Sequence, residues 1–155
     1  YNCKNTFASF SLQTVENVRY TNNMELGKDF YDCSAFGINA SSCYECQQVG
    51  LDSNTLLFCN SVWLNMSNMH YCILNISNAS NCFGCMGMRN GANHNVLNKP
   101  YSKHEYGVFC GKVVDHMVST KEWGEFFPTE LSPFGYNETM AQVFLPLERK
   151  EVLQR

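Results

Sequence analysis

The chain has 155 residues, 45% of them hydrophobic and only 16% charged, which excludes a disordered tail and allows one domain with a real core. Its net charge of −3 argues against a sequence-independent nucleic-acid binder, which needs a basic face. No apolar run is long enough to cross a bilayer, so no membrane partner is expected.

The chain starts without an initiator Met or a signal-peptide pattern and reads as a processed or partial product; a cytoplasmic setting is favoured. Nine cysteines is a high count and an odd one, which places reduced thiols or metal ligands ahead of a full disulfide framework.

In chain order, the first organised feature is a repeat. NASSCYEC (39–46) returns as NASNCFGC (78–85), and Cys33, Cys46, Cys59, Cys72 and Cys85 stand at an unbroken spacing of 13. Three residues before each Cys lie Phe30, Cys43, Leu56, Met69 and Cys82. Three after lie Phe36, Val49, Val62, Asn75 and Met88. Five after lie Ile38, Leu51, Leu64, Ser77 and Asn90. Between them NASS (39–42), DSNT (52–55), NMSN (65–68) and NASN (78–81) are turn-forming segments in register. Upstream, ENVRY (16–20) reads as a worn copy after a one-residue slip, with Val18 in the Cys column.

A fixed short period with apolar columns and Asn/Ser turns is the mark of a solenoid. Thirteen extended residues trace about 43 Å, which fits one flattened coil of two short strands and two turns. The fold expected is mainly β: a parallel β-solenoid of 13-residue coils over residues 1–98, its repeats clearest from 5 to 95. The Cys column becomes an interior ladder of small polarizable groups. Asn39, Asp52, Asn65 and Asn78 become a turn ladder whose side chains bond the coils above and below.

The doubled C-x-x-C invites a zinc reading, with Cys43, Cys46, Cys59, Cys72, Cys82 and Cys85 as candidate ligands. Coils stacked about 4.8 Å apart put Cys43/Cys46 and Cys82/Cys85 about 14 Å from each other, too far to share one ion. Ligands from neighbouring coils remain an alternative. The favoured reading is that these are buried reduced thiols packing as small hydrophobes, with no cofactor. A redox C-x-x-C would want a helix N-terminus, and neither CYEC nor CFGC opens a helix.

Residues 99–155 form a second segment of helical and aromatic character. Ser102 and Glu105 make a capping box for a helix over about 103–119, with Tyr106, Phe109, Cys110, Val113 and Met117 on one face, docked on an end or side of the solenoid. EWGEFFPTELSPFGYNET (122–139) is expected to be irregular and anchored by Trp123, Phe126, Phe127 and Phe134, with short helices near 138–144 and 147–154.

The stretches SNCFGCMGMRN, LNKPYSKHEY and EWGEFFPTELSPFGYNETMAQVFLPL, with KDFYDCSAFG and SSCYEC, resemble a family of uncharacterised Cys-rich proteins of candidate-phylum (Patescibacteria-type) bacteria. Relatives continue into C-x-x-C zinc ribbons, and this chain stops at Arg155 where that part begins. GANHNV (91–96) stands where they carry a Cys-bearing segment. The resemblance implies kinship and brings no activity with it.

No nucleophile motif, phosphate loop or carboxylate pair is present. His70 shares a column with Tyr31, Tyr44, Leu57 and Phe83. His94 lies in a Gly/Asn loop, and His104 and His116 face one side of the helix. Asp32 and Glu45 share a column that faces solvent. The sequons at Asn39, Asn65 and Asn78 are explained by turn chemistry; Asn75 and Asn137 complete the set. The function expected is a non-catalytic structural or interaction module, with a protein partner or self-association through the solenoid ends. The alternative is a Cys-cluster protein holding zinc or iron–sulfur beside a nucleic-acid-associated zinc ribbon.

Overall fold

In the computed structural model, residues 14–16, 26–34, 37–139, 141–144 and 146–153 are described. Cys3, Val18 and Phe36 lie outside them, so the worn copy at 16–20 is described only at its first residue, Glu16.

The chain winds as a parallel β-solenoid. One long side is built from β1 (Thr14–Glu16), β2 (Leu26–Tyr31), β3 (Ile38–Tyr44), β5 (Asn54–Leu57), β7 (Ser67–His70), β9 (Ser80–Phe83) and β10 (Asn93–Val96). The other is built from β4 (Gln47–Leu51), β6 (Asn60–Leu64) and β8 (Ile73–Ser77). Pairing is in register at the period of the sequence: Cys43 beside Leu56, Leu56 beside Met69, Met69 beside Cys82. The last strand, β11 (Lys99–Pro100), turns back antiparallel on β10 and ends the stack.

The cross-section corrects the expectation of a flattened coil with two turns. Within one coil Asp52, Thr55, Phe58 and Ser61 all have positive φ, between 51° and 56°, and the same positions recur in the coils above and below. Each such residue is a corner, and the residue after it points inward: Ser53, Leu56, Cys59 and Val62 are all buried. Corners spaced 3, 3, 3 and 4 residues apart give a four-sided coil of 13. The corners keep the inter-coil ladder intact: the amides of Gln47, Asn54, Phe58 and Asn65 donate to the carbonyls of Cys59, Met66, Tyr44 and Leu51 at 2.9–3.0 Å.

Four inward columns follow. Two are those of Cys33 and Phe30, and the third runs Val49, Val62 and Asn75. The fourth, Ala40, Ser53, Met66 and Ala79, is hidden in the turn segments, whose second residue is buried in every coil. By contrast, the Ile38–Leu51–Leu64 column lies outside the core, with Leu64 41% exposed, because the four-residue side places two residues outward before the next corner.

The Asn ladder forms in part. Asn39 Nδ2 donates to Asp52 Oδ1 at 3.0 Å and Asn65 Nδ2 to Asn78 Oδ1 at 2.9 Å. A second ladder at the next corner joins Asn68 to Asn81 at 2.7 Å.

Helix α1 (Lys103–Thr120) carries the expected capping box: Ser102 Oγ accepts from the Glu105 amide at 3.3 Å and Glu105 Oε2 accepts from the Ser102 amide at 3.0 Å. Lys121, at φ 64°, closes its C-terminus. The helix docks on the side of the solenoid. Its Tyr106, Phe109, Cys110, Val113 and Met117 pack on Phe58, Tyr71, Phe83 and Val96. Short turns at Thr129–Leu131 and Tyr136–Glu138 precede α2 (Ala141–Phe144) and α3 (Arg149–Val152). No helix among the described residues is long and apolar enough to cross a membrane.

Candidate functional site

Three features could carry function: the interior sulfur column, the aromatic corner under the tail, and the bare β4–β6–β8 side.

The sulfur column is set by the corner rule. Asp32, Glu45, Phe58, Tyr71 and Gly84 turn the chain, and Cys33, Cys46, Cys59, Cys72 and Cys85 follow them into the core, each at most 2% exposed. All are free thiols. Cys33 Sγ–H lies 3.1 Å from Tyr31 O in its own coil, and the other four each reach two carbonyl oxygens, one in their own coil and one in the next: Cys46 Sγ–H lies 3.2 Å from both Tyr44 O and Leu56 O, and Cys59 lies 3.3 Å from Leu57 O and 3.2 Å from Met69 O. At the top, the Asn98 amide donates to Cys85 Sγ at 3.4 Å. Cys46 stands between Cys33 and Cys59 in the column, and both influence its acidity.

These contacts govern the acidity. Burial pushes the Cys43 and Cys59 thiols up. Cys33 is raised by its contact with Cys46 and then by burial. Contacts with Cys33 and Cys59 pull Cys46 down, and contacts with Cys72 and Cys82 pull Cys85 down.

Of the six cysteines singled out as metal ligands, Cys46, Cys59, Cys72 and Cys85 share this column. Cys43 and Cys82 stand in the neighbouring one, separated by Leu56 and Met69. Cys33 belongs to the column as fully as the four. Among the described residues no three or more His, Cys, Asp or Glu converge as a polydentate metal site would require.

The aromatic corner is a stack that climbs the coils. Tyr44 meets Phe58 edge-on at 5.3 Å, Phe58 stacks on Tyr71 at 4.7 Å, and Tyr71 leans on Phe83 at 5.8 Å. The tail closes over it: Trp123 stacks on Phe83 at 6.4 Å, and Phe127 meets Tyr71 at 6.1 Å. Below the tail an open pocket of ≈ 330 Å³ lies between Asp32, Glu45, Gln47 and Phe126. Burial raises the Glu45 carboxyl, and the nearby Asp32 and Glu125 carboxylates add to this. Asp32 is exposed as expected, whereas Glu45 is half-buried.

The histidines do not converge on a nucleophile. His104 and His116 are exposed on α1, His94 meets the Tyr106 ring at 5.5 Å, and His70 meets the Phe83 ring at 5.9 Å.

The third feature is the side the tail leaves bare. Trp63 and Ile76 are each 43% exposed, one coil apart, and Leu64, Leu74 and Met86 are exposed beside them. Their column partners in the coils below include Gly50, Gln48, Ser61 and Gln47, so β4, β6 and β8 carry no charged residue, and the exposed Arg89 follows Ile76 in its column one coil on. The 13-residue spacing of Trp63 and Ile76 was the available signal for it.

No family model, curated protein or solved structure matches the chain.

Proposed function

We propose that the protein is a non-catalytic interaction scaffold that binds a second copy of itself through the β4–β6–β8 side. The observation that carries this is the run of Trp63, Leu64, Leu74, Ile76 and Met86, all large, apolar and more than 40% exposed on one regular surface. Such contiguous patches are uncommon on monomers and mark contact surfaces. A surface with a pitch of about 4.8 Å is best matched by another of the same pitch, and β4, β6 and β8 themselves bring no charged residue into a self-contact.

The solenoid ends support self-association less well. At the C-terminal end Asn95 and Asn98 stand in columns that Leu56, Met69 and the cysteines fill below. Asn98 bonds the Met86 amide and carbonyl at 2.8 and 2.9 Å, and β11 blocks the edge.

Sedimentation velocity across a concentration series tests the reading. The expected result is a dimer that reverts to monomer in the double variant Trp63→Lys/Ile76→Lys, with the β signature of circular dichroism unchanged. A parent chain that stays monomeric at every concentration overturns self-association. A dimer unaffected by both lysines places the contact elsewhere.

A further inference from the structure

A cation ends the apolar column of the bare side. Trp63, Ile76 and Arg89 follow one another at the period of 13, and all three are exposed. The coil that carries Arg89 keeps the register of the coil below it. The Ile76 amide donates to Met88 O at 3.1 Å, the Met88 amide donates to Asn75 Oδ1 at 2.8 Å, and the Ser77 hydroxyl donates to Asn90 Oδ1 at 3.0 Å. Met88 packs against the core as Asn75 is buried in it, so Arg89 stands outward above Ile76.

Two copies that meet through one face are related by a two-fold axis lying in the plane between the faces. An axis along the solenoid sets the copies parallel and lays each coil on the same coil of the second copy. Arg89 then approaches Arg89, and β4, β6 and β8 hold no carboxylate to separate the like charges. An axis along the strands sets the copies antiparallel. Each column then faces itself with the order of coils reversed.

The level of that axis decides what Arg89 meets. At the level of Ile76, Arg89 one coil above lies opposite Trp63 of the second copy, one coil below, and the pair occurs twice. Ile76 meets Ile76 and Leu74 meets Leu74 across the axis. At the level of Trp63, or midway between Trp63 and Ile76, Arg89 lies opposite Gly37 or Gly50, which have no side chain to offer.

We propose that the self-contact is antiparallel about an axis at Ile76, with the Arg89 guanidinium of each copy laid on the Trp63 ring of the other. This orientation rests on the self-association through the β4–β6–β8 side and adds its register and its one charged contact. A guanidinium is planar, weakly hydrated for a cation and attracted to the face of an indole, so an apolar surface can cover it without a carboxylate. Its aliphatic stem adds apolar contact of its own. The same charge that forbids the parallel arrangement thereby fixes the antiparallel one.

The test is sedimentation velocity over a concentration series, which gives the dimer Kd of the parent chain, Arg89→Gln, Arg89→Lys, Trp63→Leu and Trp63→Leu/Arg89→Gln. Circular dichroism checks that each variant folds. Because the contact occurs twice, Arg89→Gln should raise Kd about tenfold or more. Arg89→Lys keeps the cation and should raise it less. With Trp63→Leu already present, the ring is gone, and Arg89→Gln should change Kd by less than about twofold. A parent dimer indifferent to Arg89→Gln, or an Arg89→Gln penalty that is the same with and without Trp63, overturns the pairing while self-association stands. A parent chain that is monomeric at every concentration overturns self-association and the pairing with it. If Trp63→Leu alone abolishes the dimer, Arg89→Lys against Arg89→Gln decides, and equal losses overturn the pairing.

Discussion

The Tyr71 hydroxyl oxygen accepts a hydrogen bond from the Gly124 amide at 2.9 Å, a bond that ties a corner of the solenoid to the aromatic tail across 53 residues of chain. Tyr71 also holds Trp123 at 5.9 Å, so one side chain contributes both polar and apolar attachment. Tyr71→Phe removes only the hydroxyl. It should cost about 1 kcal/mol, the net value of one partly buried hydrogen bond. Hydrogen exchange should accelerate at residues 122–127 and stay unchanged in β5–β7. Tyr71→Ala also empties the stack between Phe58 and Phe83 and should cost about 3 kcal/mol or more. Equal exchange rates in the parent and in Tyr71→Phe would show that the tail is held by its rings alone.

The period of 13, the Cys column and the capped helix were legible because each writes one residue type at a fixed spacing. The four-sided cross-section was not. Its corners need a left-handed backbone, which usually announces itself as Gly or Asn, but Phe58, Tyr71 and Leu74 occupy corners here. The stacked coils over-determine these positions through bonds above and below, so bulky residues are tolerated and the signal is lost. The fourth inward column was concealed for the opposite reason. Ala40, Ser53 and Ala79 are small or polar residues inside segments that read as turns, and only Met66 betrays the inward position. The sulfur column was legible as packing, whereas the contacts of its thiols with carbonyl oxygens of the next coil needed the register of the strands.

Leu74 is the corner where strain and exposure meet. It holds φ at 53° and is 55% exposed, so it sits in a left-handed conformation with little burial to offset the cost. Left-handed backbone costs a non-glycine residue about 1–2 kcal/mol, and Asn tolerates it better. Leu74→Asn should therefore stabilise by about 0.5–1 kcal/mol, a gain that Leu74→Gly would partly lose to the entropy of the unfolded chain. Urea midpoints of the three chains, taken at a concentration low enough to keep each monomeric, decide it. A lower midpoint for the asparagine variant would show that Leu74 earns its place through contacts on the bare side.

Gly50 marks a close approach between coils. It is buried, and a Cβ added there would run into the backbone carbonyl of Trp63 in the next coil. Backbone cannot swing aside as a side chain can, so Gly50→Ala must push β4 from β6. The expected loss is about 3 kcal/mol, at the upper end for overpacking. Gly107→Ala is the control: it lies in α1 with nothing near its Cβ, and should gain helix propensity. Thermal unfolding of the two variants should move in opposite directions.

His70 supplies the pH dependence. Burial lowers its pKa, and Nε2 is buried with no hydrogen-bond partner. The fold therefore prefers the neutral ring. Above about pH 6.5, the ordinary value for His, folded and unfolded chains hold the same number of protons at this residue, and its neutral state costs nothing extra. Below that value the unfolded chain binds a proton that the folded chain resists. Stability must fall as pH drops through the unfolded pKa, and it goes on falling until the lower folded pKa is passed. His70→Leu copies Leu57 one coil below, removes the titration and keeps an apolar contact with Phe83. Urea midpoints at pH 7.5, 6.5 and 5.5 should therefore diverge, with the variant gaining on the parent as pH falls. Parallel curves would mean that the ring takes up its proton in the folded chain as readily as in the unfolded one.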